Sequence, residues 1–329
     1  MTAAPWLSVV MPTYRGALHI ADALSSIEVE LTTDANIEVV VVDDGSDDET
    51  IDIVASFADR LPLVTLPPKR RGSWVAAVND GFAVARGEWS CMLHQDDRWI
   101  AGRLAAVRRA VAVADSNGAE LVVHGVQMVT DDGRAVGRWR PPFRDPSIGA
   151  AEAMQSLLVQ NWVSVPGATF RTSSVRGLPL DVDLWYTADW DLWLRLARSN
   201  GLAIAPGEWA AFRLHAGSQT VVGSADLDDF RAQHEIVRER YALHAVDASP
   251  RVAARVGKAG RLSIETNVLL AALAGSGQRP FGPWLRAAST SPAVWARFLR
   301  CSRITERSLS RVRAGLLGRR DGSRDKKRR

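Results

Sequence analysis

Cysteines and long apolar runs are both scarce in this sequence. Its 329 residues include only two cysteines, Cys91 and Cys301. Cys91 stands in an apolar run, so we expect no disulfide framework and a reducing, cytoplasmic environment. The longest apolar tract, residues 268–274, is far short of the roughly 20 residues that span a bilayer. The first residues also lack the basic leader, apolar segment and cleavage site of a signal peptide. We therefore expect a cytoplasmic protein that is not integral to a membrane.

Excess positive charge is confined to one end of the chain. Residues 300–329 contain twelve Arg or Lys against three acidic residues, a local charge of +9 within a chain total of +4, which leaves −5 elsewhere. The basicity therefore belongs to the tail, and we expect no nucleic-acid partner for the remainder. Hydrophobic and charged fractions of 47% and 24% are those of a soluble globular protein with one large domain and an appendage, or two domains.

Short β-branched runs alternate with helical periodicity over the first 124 residues. We predict strands at 7–11, 37–42, 63–66, 89–93 and 120–124, and helices at 18–31 and 99–114. This succession predicts an α/β fold with a mostly parallel twisted sheet covered on both faces. Beyond it we predict a hairpin around 131–133, helices at 150–160 and 189–199, a loop and short strand at 165–171, and all-helical sequence past about residue 223. Sheets of this kind bind ligands beyond the carboxyl ends of their strands.

Two pairs of aspartates follow predicted strands. Asp43 and Asp44 precede Gly45, and a strand-to-helix turn explains the glycine without explaining two carboxylates. A carboxylate here can accept a hydrogen bond from a pyrimidine N3 or a ribose hydroxyl, which favours nucleotide contact by Asp44. The second pair, Asp96 and Asp97, repels unless a cation or donor lies between them. Oxygen ligands suit Mg²⁺ or Mn²⁺ bridging to phosphates, whereas helix capping explains one aspartate of the pair.

Two further features leave alternatives open. Asp191 and Arg195 are four residues apart on a predicted helix and are expected to form a surface ion pair. Asp189, at the entrance of that helix, is available as an N-cap or as a base. His215, which ends a short strand, is more often a structural residue than a metal ligand, but an upstream aspartate pair favours a ligand.

The loop of residues 69–74 is basic. It is either a solvated loop or a diphosphate site in which Arg71 neutralises charge and Gly72 lets the backbone come close.

Together these stretches resemble the successive motifs of inverting GT-A glycosyltransferases of glycosyltransferase family 2, typified by bacterial polysaccharide and glycolipid enzymes. The motifs lie at residues 8–14, 42–46, 79–89, 96–97 and 189–195, and the likeness spans residues 6–218. It implies a GT-A fold and an enzyme that moves a sugar from a nucleotide diphosphate to a hydroxyl group. A UDP-, dTDP- or GDP-sugar is the implied donor, and a saccharide or lipid-linked molecule is the implied acceptor.

The resemblance also implies roles for particular residues. The nucleotide base is expected to be held by Pro12, Thr13, Tyr14 and Asp44. Asp96 is expected near the ribose, and Mn²⁺ or Mg²⁺ is expected on Asp97, with His215 as a further ligand. Asp189 matches the general base of the family.

The sequence departs from the family pattern at two positions. His94 stands where an aspartate is common in the metal motif, and Ala188 stands where a glutamate often precedes the catalytic aspartate. The first weakens the case for three carboxylates on the metal, and the second removes a candidate acceptor contact. As weaker candidates for the acceptor we name Trp162, Trp185 and Asp191, because tryptophan can stack on a sugar face although core packing is an equal alternative.

The chain divides, on this interpretation, into three parts. Residues 1–223 form the GT-A domain, with a donor half at about 1–125 and an acceptor half at about 126–223. Residues 224–318 are helical, and the basic end at 319–329 is expected to be disordered. The basic amphipathic helices either lie on an anionic membrane surface on the inner face of the plasma membrane or only pack on the catalytic domain. The alternative to an enzyme is a catalytically silent scaffold that binds nucleotide sugars.

Overall fold

The computed structural model describes residues 4–31, 36–215, 226–242, 249–273, 280–306 and 308. A single sheet contains ten strands within these ranges: β1 (Leu7–Thr13), β2 (Ile37–Asp43), β3 (Leu63–Thr65), β4 (Trp89–Met92), β5 (Arg98–Trp99), β6 (Leu121–Thr130), β7 (Ala135–Trp139), β8 (Ser147–Ile148), β9 (Ala168–Arg171) and β10 (Leu202–Leu214). The described α-helices are α1 (Ile20–Leu31), α2 (Thr50–Ala55), α3 (Trp74–Val84), α4 (Arg103–Asn117), α5 (Ala150–Leu157), α6 (Thr172–Gly177), α7 (Ala188–Asn200), α8 (Leu227–Tyr241), α9 (Pro250–Ala271), α10 (Phe281–Ala288) and α11 (Pro292–Ser302).

The strands follow the order β3-β2-β1-β4-β9-β6-β10-β5, with β7 on β6 and β8 on β10. Neighbours are parallel from β3 to β4 and again between β6 and β10. Strand β9 is antiparallel to both β4 and β6, so those two run in the same direction. Six strands therefore share one direction and end at one edge. This confirms the predicted α/β fold with a mostly parallel mixed sheet, which is GT-A-like and carries C-terminal helices.

Helices cover both faces of the sheet, as predicted. Alternate residues of β1 point to opposite sides: Val9 and Met11 pack with α1, α2 and α4, whereas Val10 packs with α3 and α7. The hydrophobic cluster that contains Val10 also includes Val237 of α8 and Leu262 of α9. The C-terminal helices therefore share the core of the sheet, and Phe230 of α8 also packs with Ile264 and Val268 of α9 in a smaller, separate cluster.

One predicted helix begins later than expected. Residues 98–99 form strand β5 against β10, and α4 begins only at Arg103. The buried carboxylate of Glu30 causes the delay, because it accepts hydrogen bonds from the backbone N–H groups of Gly102 (2.6 Å) and Leu104 (2.7 Å). Gly102 has a φ of 90°, which a glycine adopts without strain. Capping by a residue 72 positions away leaves no local signal in the sequence.

None of the described helices is both long and apolar enough to cross a membrane. The predicted domain boundary near residue 223 and the basic end at 319–329 lie outside the described residues. Two further elements differ from their predicted length by three residues or more. Helix α5 ends at Leu157 instead of continuing to residue 160, and β6 runs on to Thr130 instead of ending at residue 124.

Candidate functional site

Polar side chains gather where the co-directional strands end. Tyr14 follows β1, Asp44 follows β2, Asp96 and Asp97 follow β4, and His215 follows β10. Since these strands share a direction, the side chains meet at one edge of the sheet. Hydrogen bonds from α3 connect this edge to the segment before Asp189, which lies at the start of α7.

The first group surrounds Tyr14. The Arg70 guanidinium carbon lies 4.0 Å from the centre of the Tyr14 ring, and that of Arg15 lies 5.2 Å away. Gln95 accepts hydrogen bonds from the Thr13 hydroxyl (2.6 Å) and the Tyr14 N–H (2.8 Å), and donates to the Tyr14 carbonyl (3.0 Å). Gln95 thus fixes the end of β1. Sequence analysis missed this role because the contact spans 81 residues.

Asp44 holds the basic loop in place. Its carboxylate accepts hydrogen bonds from the backbone N–H groups of Arg71 and Gly72 and from the Arg70 side chain, the last two at 3.0 Å. Gly72 has a φ of 71°, and nothing lies within 4 Å of the position a Cβ would take. Pro12, the residue of β1 opposite Val42, is buried. Asp44 and Tyr14 therefore both contact the Arg70 side chain.

Arg71 does not point to open space, as the diphosphate hypothesis would require. Its side chain is only 6% exposed and donates to the Asp80 carboxylate (2.6 Å) and to the carbonyls of Asp43 (3.0 Å) and Lys69 (2.6 Å). In this structure it braces the loop. Lys69 and Arg70 are the exposed cations of the loop, and the Arg70 side chain is 57% exposed.

Asp96, Asp97 and His215 form the second group. The Asp96 Oδ2 lies 2.8 Å from His215 Nε2, and Asp97 Oδ1 accepts a hydrogen bond from the Arg213 N–H (3.0 Å). Arg213 is buried and also donates to the Asp96 carbonyl (2.8 Å) and the Asp22 carboxylate (2.7 Å). Arg213 therefore ties the end of β10 to the aspartate pair, a positioning role that sequence analysis did not identify.

The two aspartates have opposite electrostatic environments. Burial, together with the charge of Asp96, raises the pKa of Asp97 well above its ordinary value. Burial also acts on Asp96, but its hydrogen bond with His215 and the nearby His94 outweigh it and lower the pKa. The same hydrogen bond raises the pKa of His215. Asp97 is thus a buried carboxylate beside a like charge, which a bound cation would stabilise.

This donor set fits a hard divalent cation. Carboxylate oxygens suit Mn²⁺ and Mg²⁺, and an imidazole nitrogen adds a ligand if it releases its proton. Among the described residues, no group of three or more His, Cys, Asp or Glu side chains is arranged to enclose a metal.

An aromatic contact and hydrogen bonds connect the segment of Asp96 and Asp97 to the segment that precedes Asp189. The His94 ring lies against that of Trp74, with centres 5.3 Å apart, and burial lowers the pKa of His94. Trp74 Nε1 donates to the carbonyl of Trp185 (2.7 Å), four residues before Asp189. The side chain of Asn79, also on α3, exchanges two hydrogen bonds with the backbone of Leu180. Helix α3 thus fixes the segment that leads into α7.

Asp189 is a half-buried carboxylate in the first turn of α7. Its Oδ1 accepts a hydrogen bond from the N–H of Trp190 (2.7 Å), and its Oδ2 accepts one from the Asn161 amide (3.0 Å). Burial raises its pKa to about 6, against these hydrogen bonds, which lower it. Such a group is ionised near neutral pH and can still take up a proton, as a general base must. Asn161, like Gln95 and Arg213, makes a contact that no sequence pattern revealed.

The weaker candidates for the acceptor site have structural contacts. Trp162 is buried against Phe143 and exposes 2% of its surface, so its ring offers no face to a sugar. Trp185 is partly exposed, and its Nε1 donates to the Asp229 carboxylate (2.7 Å). The expected ion pair between Asp191 and Arg195 is wrong. Asp191 instead binds Arg240 of α8 at 2.7 Å, because it is buried where α8 packs on α7.

Comparisons with known proteins agree with this arrangement. The model of the Glycosyl transferase family 2 matches residues 8–171, about half of the chain. An uncharacterized glycosyltransferase of Rickettsia prowazekii is 24% identical over 232 residues, which cover 69% of this chain and 70% of that protein. The residues that the family model matches include the donor-side strands and both aspartate pairs.

Solved structures show the same fold. S. aureus TarS (residues 1–349) in complex with UDP-GlcNAc superposes with a TM-score of 0.59 at 18% identity, covering 90% of this chain and 79% of that chain. The mannosyltransferase PcManGT from Pyrobaculum calidifontis, in complex with GDP-Man and Mn²⁺, gives a TM-score of 0.53 at 16% identity, covering 95% and 88%.

Proposed function

We propose that this chain, which belongs to glycosyltransferase family 2, is a metal-dependent, inverting enzyme that transfers a sugar from a nucleotide diphosphate to a hydroxyl group of a saccharide or lipid-linked acceptor. The observation that carries the proposal is the pairing of two unlike carboxylate sites. One is the buried Asp96–Asp97 pair at the strand ends, and the other is Asp189, whose pKa of about 6 suits a base.

The donor lies at the ends of β1 and β2. The Tyr14 ring offers a stacking face, and Asp44 offers an acceptor for an N–H or hydroxyl of the nucleoside. Arg70, next to both, is an exposed cation available to the diphosphate. A relative's complex with UDP-GlcNAc and another's with GDP-Man support a nucleotide-sugar donor without selecting its base.

A divalent cation, Mn²⁺ or Mg²⁺, would be held by Asp97 with help from His215, and Asp96 would lie toward the ribose. Bound there, the cation supplies Lewis-acid neutralisation of the charge that builds on the leaving diphosphate. The Mn²⁺ in the complex of the mannosyltransferase supports this assignment. Arg213 keeps Asp96 and Asp97 in place through their backbone and side-chain contacts.

Asp189 removes the proton from the acceptor. As the acceptor oxygen bonds to the anomeric carbon, the bond from that carbon to the diphosphate oxygen breaks, and the hydroxyl proton passes to the Asp189 carboxylate. A single displacement of this kind inverts the anomeric configuration. Its rate depends mainly on how the base and nucleophile are positioned, because the hydroxyl loses its proton late.

Calorimetry tests the donor half of the proposal. UDP-, dTDP- and GDP-sugars are titrated into the full chain with Mn²⁺ and again with EDTA. We expect one nucleotide class to bind with Mn²⁺ and to bind much more weakly with EDTA. Equal binding in both conditions would contradict the metal dependence. Binding without any turnover of the donor would favour the silent scaffold.

The acceptor side includes the C-terminal helices, which we propose rest on an anionic membrane surface. Exposed apolar side chains line α9 to α11, namely Leu273, Phe281, Leu285 and Leu299. Arg286 on α10 and Arg300 on α11 add positive charge, and the undescribed residues 309–329 add more. We expect the full chain to float with vesicles that contain phosphatidylglycerol, and a chain ending at residue 299 to float less. Equal flotation would remove the membrane from the proposal.

A further inference from the structure

A buried chain of hydrogen bonds connects the C-terminal helix α9 to the candidate base. Asn161 donates through its side-chain nitrogen to Asp189 Oδ2 (3.0 Å), while its side-chain oxygen accepts from the N–H of Val163 (3.3 Å). The second contact determines which end of the amide faces the carboxylate, because a backbone N–H can only donate. Asn161 is thus oriented as a donor to Asp189 before any substrate arrives.

Gln160 extends this chain to α9. Its side-chain nitrogen donates to the main-chain carbonyl of Asn161 (3.0 Å). Its side-chain oxygen accepts from the Ser263 hydroxyl (2.6 Å) and from the side-chain amide of Asn267 (3.3 Å). Ser263 and Asn267 lie one turn apart on α9, and all three side chains are at most 6% exposed. Buried polar groups are costly unless each finds its partner, so this network holds residues 160 and 161 in one arrangement.

Close packing on the same segment supports this view independently. A Cβ on Gly260, one turn before Ser263, would lie 2.7 Å from the carbonyl oxygen of Leu158. From the other side, Trp190 Nε1 of α7 donates to the carbonyl of Leu157 (2.9 Å). The segment that carries Asn161 is therefore held between α9 and the helix of the base.

We propose that Asn161 is a positioning residue for Asp189, and that Ser263 and Asn267 of α9 hold it in place through Gln160. The C-terminal helices are then part of the catalytic machinery instead of an appendage to it. The inference rests on the proposed role of Asp189 as the base. Chemically, the Asn161 amide favours the ionised carboxylate and directs one of its oxygens, which leaves the remaining lone pairs for the hydroxyl of the acceptor.

The surrounding charged groups do not account for the state of Asp189. In the part of the chain that the structure describes, Asp189 forms no ion pair. Arg195 on α7 donates to the carbonyl of Pro179 (3.2 Å), and three ion pairs lie on the packed helices. These are Asp191 with Arg240, Glu265 with Arg231, and Glu152 with Arg300. His234 on α8 lies against the ring of Trp190, with centres 5.9 Å apart, and its Nδ1 contacts the carbonyl of Phe230. Asn161 is the main side chain that lowers the pKa of Asp189.

Carbon-13 NMR of the aspartate carboxyl groups in the full chain tests the inference without requiring turnover. The Asp189 signal is assigned by its loss in Asp189→Asn, and its titration midpoint is measured in wild type, Asn161→Ala and Ser263→Ala. We expect the midpoint to rise by about one unit in Asn161→Ala, the size of one hydrogen bond to a charged group, and by less in Ser263→Ala. An unchanged midpoint in Asn161→Ala would overturn the proposal.

Ser156→Ala is the matched control for structural damage. Ser156 is buried on α5 and accepts from Trp162 Nε1 (3.2 Å), so its loss disturbs the same region without touching Asp189. We expect a lower Tm and the wild-type midpoint. If Ser156→Ala moves the midpoint as far as Asn161→Ala does, general loosening is the cause and the positioning role is wrong. If Asn161→Ala moves the midpoint while Asp189→Asn keeps its turnover, the base assignment fails and the contact stands.

Discussion

The donor edge and the base are built in different ways. At the donor edge, functional residues follow strands that end together, and Gln95 and Arg213 hold them there. Asp44, for example, accepts hydrogen bonds from the loop of residues 70–72 just beyond the next strand. Asp189 depends on contacts with α3, with residue 161 and, through Gln160, with α9, more than 70 residues further along the chain.

Strand topology therefore positions the residues of the donor edge, whereas the packing of helices positions the base. Parallel strands bring their carboxyl ends together whenever the sheet forms, so the sheet itself places the donor residues near one another. A base on a helix must be oriented by partners from other elements, and here these partners come from the acceptor half and the C-terminal helices. Changes at the two sites should therefore separate donor binding from proton transfer.

The largest expected effect is on catalysis alone. Asp189→Asn should lower kcat about 10²- to 10⁴-fold, because it removes the proton acceptor while keeping the shape of the side chain. The Kd for donor with Mn²⁺ should stay at the wild-type value. Turnover and calorimetry on one preparation measure both quantities, and Asp183→Asn, a nearby exposed carboxylate, is the control expected to keep full activity. Weakened donor binding in Asp189→Asn would break the separation of the two sites.

The converse experiment removes the metal candidate. Asp97→Asn should weaken Mn²⁺-dependent donor binding at least about tenfold, since the charge that attracts the cation is lost. The fold should persist, because a neutral amide is easier to bury than a carboxylate beside Asp96. Thermal unfolding checks the fold, and calorimetry with Mn²⁺ and with EDTA checks binding. Wild-type affinity in Asp97→Asn would remove this residue from the metal site.

A third change tests the contact between α7 and α8. Arg240→Met leaves the buried Asp191 without its partner and should lower the free energy of unfolding by about 2 kcal/mol, less than for a fully buried pair because Arg240 is 40% exposed. Urea unfolding measures the loss. Arg300→Met breaks a more exposed pair with Glu152 and should cost no more than about 0.5 kcal/mol. Equal losses would show that the pair on Asp191 does not anchor α8.

The last expected effect is a change in how stability depends on pH. The pKa of Asp189 is raised from 3.8 to about 6 in the folded protein, so the folded state binds a proton more tightly than the unfolded state does. This contribution to stability is complete below pH 3.8 and is lost as the pH rises through about 6. Asp189→Asn should therefore remove a decline in stability between about pH 4 and pH 6. Parallel curves for the two proteins would contradict the raised pKa.

Sequence patterns predicted five strands of the sheet and placed Asp44, Asp96 and Asp97 beyond strand ends, as the structure has them. The runs of Val before Asp43 and of apolar residues before Asp96 identify strand ends. Because parallel strands end at one edge of a sheet, these residues are expected to lie close together. Residues that act through distant partners were not predictable. Gln95 and Asn161 are uncharged amides without local periodicity, and the capping of α4 by Glu30 joins residues 72 positions apart. The charge of Arg71 indicated phosphate as one alternative, and the structure adds hydrogen bonds that brace the loop.

The most direct test of the account uses water as the acceptor. The nucleotide sugar that binds best with Mn²⁺ is incubated with wild type and with Asp189→Asn, and proton NMR follows the released sugar before its anomers equilibrate. The account predicts that wild type first releases the anomer inverted relative to the donor, and that Asp189→Asn binds the donor equally well but releases almost no sugar. Release of the retained anomer, or equal release by both proteins, would contradict a single displacement with Asp189 as its base.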